Sequence, residues 1–75
     1  MTPMSTVTAE LVASVLSVSV EPGQKVAVGD ELCLLDSMKM EIPVLADVAG
    51  TVTDVVVKAG DNVRDGDPLV VIKRG

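Results

Sequence analysis

The sequence contains no phenylalanine, tyrosine, tryptophan or histidine, and it has a single cysteine. Without histidine the chain lacks the usual general base and the commonest metal ligand. One cysteine cannot form a disulfide within the chain, so the fold does not depend on an oxidising compartment. Because no acid, base or metal constellation is present, we expect no catalytic residues and no metal site.

Basic residues are scarce: six lysines and arginines stand against eleven aspartates and glutamates, for a net charge of −5. Nucleic-acid binding requires enough basic residues to neutralise phosphates, so we expect no nucleic-acid partner. Apolar runs are far shorter than the roughly 20 residues of a membrane helix. No basic residue precedes Lys25, so the basic start of a signal peptide is missing. We expect a cytoplasmic protein that does not bind membranes.

Valine, in contrast, is abundant, with sixteen of the 75 residues. Its branched side chain is stiff at χ1 and suits a pleated strand better than a helix. A chain of this length forms one small domain with a modest core. The composition therefore predicts an all-β domain with a core of small aliphatic side chains. We expect residues 1–8 to form a short flexible lead-in and residues 9–75 to form the domain.

The chain also repeats itself after a shift of 37 residues, which aligns residues 13–35 with residues 50–72. Eight of these 23 positions are identical, and they hold valine, glycine, aspartate or leucine. Each copy has an alternating strand, a glycine turn, a Gly-Asp turn and a second apolar strand. Neither copy can bury its apolar face alone. We therefore expect a sandwich or flattened barrel with internal two-fold pseudo-symmetry.

Between the two copies lies the segment Asp-Ser-Met-Lys-Met-Glu, residues 36–41. One strand leads into this segment through Leu35, and another leads out of it through Ile42. The sequence therefore predicts that Lys39 lies at a hairpin tip, held out in water. Lysine supplies a nucleophilic amine on a flexible stem, which another enzyme can acylate.

This motif resembles the biotin-attachment motif of biotinyl domains, which belong to the biotinyl/lipoyl carrier superfamily. The resemblance rests on Met38-Lys39-Met40, the acidic Asp36, the duplicated valine-rich unit and Gly50, eleven residues after the lysine. It implies the hammerhead fold, a flattened barrel of two four-stranded antiparallel sheets, with biotin bound to Lys39 through an amide. The commonest family form has alanine where Ser37 stands. The chain has no room for the thumb-like insertion of some carriers, so it resembles the thumbless type.

The resemblance also implies a function, that of a non-catalytic biotin carboxyl carrier. A biotin protein ligase would attach biotin to Lys39, and the carrier would take carboxybiotin from a biotin carboxylase to a carboxyltransferase acting on an acyl-CoA or keto acid. Met38 and Met40 would be recognised by the ligase. Asp36, Ser37 and Glu41 are further candidate contacts. We expect a monomer, because a carrier visits its partners transiently.

Several alternatives remain at this point. The chain could be a lipoyl carrier of a dehydrogenase complex, although such domains usually have Asp-Lys-Ala or a similar sequence at the tip. It could also be an unmodified interaction module of the same fold. Met38 and Met40 could simply fill the core, and Asp36 and Glu41 could be solvated strand ends. Cys33 aligns with a valine, so we expect a buried small hydrophobe rather than a reactive thiol.

Overall fold

The computed structural model describes residues 4–75, and within them it contains eight β-strands and no helix. In chain order the strands are β1 (Met4–Thr8), β2 (Ala13–Val18), β3 (Lys25–Val26), β4 (Glu31–Ser37), β5 (Met40–Leu45), β6 (Gly50–Val55), β7 (Asn62–Val63) and β8 (Pro68–Arg74). They form two four-stranded sheets, in the orders β1-β8-β6-β3 and β5-β4-β2-β7. Every strand pair is antiparallel. The predicted all-β fold with two four-stranded sheets is confirmed.

The core lies between the two sheets and consists of small and medium aliphatic side chains. Its largest fully buried members come from β4, β6 and β8: Leu32, Cys33, Leu35, Val52, Leu69, Val70 and Ile72. No buried side-chain nitrogen or oxygen in residues 4–75 lacks a hydrogen-bond partner. The hydrophobic effect can therefore act here without a penalty from unpaired polar side chains.

The pseudo-symmetry is visible in hydrogen bonds that recur between the two copies. The amide of Ala9 donates to the carbonyl of Asp67 at 2.9 Å, and the amide of Ala46 donates to the carbonyl of Asp30 at 2.8 Å. These four residues are related in pairs by the same 37-residue shift. In both bonds one copy donates to the other, so the copies are interlocked. The structure thus explains why neither copy is a separate unit.

The Gly-Asp turns that follow β3 and β7 are built alike, as the sequence predicts. In the first turn the carboxylate of Asp30 accepts a hydrogen bond from the Ala27 amide at 2.8 Å. In the second turn the carboxylate of Asp67 accepts one from the Arg64 amide at 3.0 Å. The glycine before each aspartate has a φ near +93°, a conformation that side-chain-bearing residues rarely adopt. These residues are structural turn formers.

The expectation of a flexible lead-in over residues 1–8 is wrong for residues 4–8, which form β1. This strand pairs with β8, and Val7 packs against the core. β1 is the counterpart of β5, since the 37-residue shift aligns Val7 with Val44. Its sequence is too polar to be recognised as a strand alone, but β8 offers it an unpaired edge. The domain therefore begins before residue 9, and the rest of the expected lead-in, residues 1–3, lies outside the described residues.

Candidate functional site

The β4–β5 hairpin carries the predicted site. Ser37, the last residue of β4, pairs directly with Met40, the first residue of β5, so the connecting turn consists of Met38 and Lys39 alone. Both turn residues have positive φ, at +48° and +73°. Two positive φ values characterise the type I′ turn, whose twist suits a two-residue hairpin. Asn-Gly and similar pairs normally occupy it, so Met-Lys costs conformational energy here.

Lys39 is exposed at the tip of this hairpin. None of the side-chain hydrogen bonds in residues 4–75 involves it. Its amine is therefore a hydrated primary amine on four methylene groups, open to a second protein. Such a group fits amide formation with a carboxylic acid ligand. The predicted position of Lys39 at a hairpin tip agrees with the structure.

Met38 and Met40, on either side of the lysine, are both solvent-exposed. Their side chains are 93% and 63% exposed, respectively. These values rule out the alternative that the two methionines fill the core. Thioether side chains adapt their shape to a partner surface, so two exposed methionines beside an exposed amine suit transient contact with another protein.

Asp36 and Glu41 lie directly opposite each other across the hairpin, and both are exposed. They point to the face of the sheet opposite to buried Leu35, because side chains alternate along a strand. Like charges directly opposite each other in an antiparallel pair are mildly destabilising. The hairpin thus presents a carboxylate pair on its outer face, next to the lysine-bearing turn.

Ser37 is half-buried and makes a contact that sequence reasoning missed. Its hydroxyl donates a hydrogen bond to the main-chain carbonyl of Val12 at 2.9 Å. Val12 belongs to the β1–β2 connection, and its side chain is 69% exposed. The bond joins the lysine hairpin to a segment 25 residues earlier in the chain. No sequence signal indicates it, because the acceptor is a main-chain group that every residue carries.

Cys33 is fully buried on β4, as expected for a small hydrophobe. Burial raises the pKa of its thiol, and the negative charge of Glu31 raises it further. Both effects disfavour the thiolate, which is the reactive form.

Residues 4–75 contain no group of three or more histidine, cysteine, aspartate or glutamate side chains that could hold a metal ion. The described residues form no helix, and therefore none that is long and apolar enough to cross a membrane.

The sequence matches the Biotin_lipoyl family model, described as "Biotin-requiring enzyme", over residues 2–72. The chain belongs to this biotin/lipoyl family. It is 58% identical over 66 residues to the Biotinylated protein TB7.3 homolog of Mycobacterium leprae (strain TN), an alignment that covers 88% of this chain and 93% of that protein. The relatives of this family member thus include a protein of nearly the same length.

Longer proteins contain a segment similar to this family member. The mitochondrial propionyl-CoA carboxylase alpha chain of Homo sapiens is 46% identical over 59 residues, which are 79% of this chain and 8% of that one. The solved structure of a single-chain, multi-domain long-chain acyl-CoA carboxylase superposes with a TM-score of 0.88 at 33% identity, covering 96% of this chain and 7% of that one. The protein is thus a biotin carrier domain whose cofactor is covalently attached biotin, and the lipoyl alternative has less support.

Proposed function

We propose that Lys39 is the residue that carries biotin, through an amide bond between its Nζ and the biotin carboxyl carbon. The observation that supports this most strongly is the two-residue turn, which presents an exposed lysine between two exposed methionines. The other three lysines lack this setting. Lys25 lies in β3, Lys73 lies in β8, and Lys58 lies in the β6–β7 connection.

A biotin protein ligase is the partner that would form this amide. To reach Nζ of Lys39 the ligase must approach the hairpin tip, where the side chains of Met38 and Met40 are the first apolar groups it meets. The outer carboxylates of Asp36 and Glu41 would add a charged contact that fixes the orientation of the hairpin. These four side chains are therefore the proposed recognition elements around the lysine.

The carrier role follows from what this chain provides and what it lacks. When attached, biotin supplies the chemistry of carboxyl transfer, and the protein supplies binding and orientation. The lysine stem lengthens the arm, while the hairpin holds its base in solvent. We propose that a biotin carboxylase and a carboxyltransferase use this arm in turn, at the high effective concentration that tethering gives. The relatives support this, because the similar segment is a small part of chains named as carboxylases.

Three narrower points belong to the same proposal. The carrier performs no reaction of its own, the final carboxyl acceptor is an acyl-CoA or a keto acid, and the carrier works as a monomer in the cytoplasm. A monomer is consistent with a surface that must engage several enzymes through one exposed tip. Sedimentation of the biotin-loaded protein at several concentrations tests the monomer directly.

The attachment site is tested with purified protein, a biotin protein ligase, biotin and ATP. The wild type and Lys58→Arg should both gain one biotin, and Lys39→Arg should gain none, as measured by intact mass. Lys58→Arg is the matched control because it removes an exposed lysine outside the hairpin while the charge is kept. Biotin on the Lys39→Arg variant, or no biotin on the wild type, would show that the proposed site is wrong. A parallel reaction with lipoate and its ligase tests the lipoyl alternative.

A further inference from the structure

We propose that Ser37 is a positioning residue for the modification of Lys39, and that Val12 belongs to the surface that the biotin protein ligase binds. The hydrogen bond between Ser37 and Val12 holds the hairpin so that Val12, Met38 and Met40 form one exposed apolar surface, called here the tip surface. This inference rests on the proposed function, since it assumes that a ligase acts on Lys39.

The bond lies where pairing between β2 and β4 ends. Ser14 pairs with Asp36 in this ladder, and the main-chain pairing stops there. The next step toward the tip is the bond from the Ser37 hydroxyl to the Val12 carbonyl, at 2.9 Å. A side chain thus extends the contact between the hairpin and its neighbour by one position, directly below the Met38-Lys39 turn. Alanine at position 37 could not make this bond.

The second copy of the repeat shows that folding does not require an exposed valine here. The 37-residue shift aligns Val12 with Ala49, a smaller side chain on the same scaffold. Val12 is 69% exposed, so its side chain contributes little to the core. At this position a valine occurs in the copy whose connection is bonded to the lysine hairpin and an alanine in the other copy, and this juxtaposition indicates a contact surface.

The tip surface fits the ligase in particular because it adjoins the amine that the ligase must reach. Met38 and Met40 flank Lys39 on the turn, and Val12 is joined to the adjacent Ser37. An enzyme that takes Nζ of Lys39 into its active site approaches this end of the hairpin and would cover these neighbours. The three apolar side chains would lose contact with water at that moment, which favours the complex.

Loss of the bond should affect binding more than chemistry. The Met38-Lys39 turn has two non-glycine residues with positive φ, so it depends on its surroundings to stay in this conformation. Without the bond a smaller fraction of molecules would hold the competent hairpin, and the apparent affinity would fall by that fraction. Once the lysine is bound, the reacting amine is unchanged. We therefore expect KM to rise while kcat stays constant.

The test measures initial rates of biotinylation by a biotin protein ligase over a range of carrier concentrations. Ser37→Ala should raise KM about two- to fivefold with kcat unchanged, since an exposed hydrogen bond contributes modestly. Ser37→Thr keeps the hydroxyl and should restore the wild-type KM. Val12→Ser keeps the carbonyl but removes the apolar side chain, and it should also raise KM. Ser19→Ala is the control, because it removes a similarly exposed bond, 3.2 Å from its hydroxyl to the Glu31 carboxylate.

Amide hydrogen exchange of the unmodified protein gives a second readout that does not depend on the ligase. Exchange at the Met40 amide, which closes the hairpin turn against Ser37, should be about two- to fivefold faster in Ser37→Ala than in the wild type, and unchanged in Ser19→Ala and Val12→Ser. Equal KM values for the wild type and Ser37→Ala would overturn the inference, whatever the exchange rates. A wild-type protein that the ligase does not label would instead overturn the proposed function, and the inference with it.

Discussion

Gly50, the first residue of β6, lies directly against the backbone of Lys73 in β8. A Cβ atom placed on Gly50 would overlap the Lys73 carbonyl oxygen and come within 3.0 Å of the Arg74 Cα. The φ of Gly50 is not in the positive region, so glycine is required here for space rather than for its conformation. The sequence motif places this glycine eleven residues after Lys39, and the structure gives that spacing a packing reason.

Gly50→Ala should therefore lower the free energy of unfolding by about 2–4 kcal/mol, because the added methyl group must push β6 and β8 apart. The equivalent residue of the first copy is Ala13, and Ala13→Gly should cost only about 0.5–1 kcal/mol. Urea denaturation of both variants and the wild type measures this contrast. Equal decreases in the free energy of unfolding for the two variants would show that the close backbone contact is not the reason for glycine at position 50.

The turn conformation predicts that Lys39 reduces stability at its own position. Its φ is +73°, where glycine is favoured over other residues. Lys39→Gly should raise the free energy of unfolding by about 1 kcal/mol, while it removes the modifiable amine. Lys58 does not have positive φ, and Lys58→Gly should instead lower stability by about 0.4–1 kcal/mol. If thermal melts showed that both variants are less stable than the wild type, the prediction that positive φ at Lys39 reduces stability would be wrong.

Cys33 should be replaceable by valine, the residue at the equivalent position of the second copy. Cys33→Val should change the free energy of unfolding by less than about 1.5 kcal/mol near pH 7, because the site is apolar and fully buried. The thiol of the wild type should react with iodoacetamide only after denaturant is added. Rapid alkylation of the native protein would contradict the buried position.

The same residue predicts a pH dependence. Burial raises the pKa of the folded Cys33 thiol, so above the ordinary thiol pKa of about 8.5 the unfolded chain loses a proton that the folded chain retains. The stability of the wild type should therefore fall as pH rises from about 8 to about 10. Cys33→Val should lack this part of the fall. If the stability of the wild type and that of Cys33→Val fell equally over this pH range, the Cys33 thiol would not be the cause of the fall.

Repulsion between the carboxylates of Asp36 and Glu41 should make the stability of the protein depend on salt. They face each other across the hairpin, so Glu41→Gln should raise the free energy of unfolding by about 0.2–0.5 kcal/mol at low salt. At about 1 M salt this gain should disappear, because charges on the surface are screened. Thermal melts at the two ionic strengths measure the effect. A gain that is independent of salt would point to a cause other than repulsion.

The sequence predicted most of this structure because the same pattern of strands and turns occurs twice, so each copy supports the interpretation of the other. The repeat, the Gly-Asp turns and the position of Lys39 could all be inferred from valine alternation and turn residues. β1 could not, because its five residues include one valine, and its pairing partner β8 lies 60 or more residues away. The bond from Ser37 to Val12 was also invisible, since it ends on a main-chain carbonyl and depends on how the strands are stacked.

The most direct test of the central claim is the intact mass of the protein purified from its own host, with peptide mapping of any added mass. We expect one biotin per chain, on the peptide that contains Lys39. Biotin on a different lysine, a lipoyl group at Lys39, or no added mass in cells whose ligase labels another protein would contradict the assignment of Lys39 as the biotin carrier.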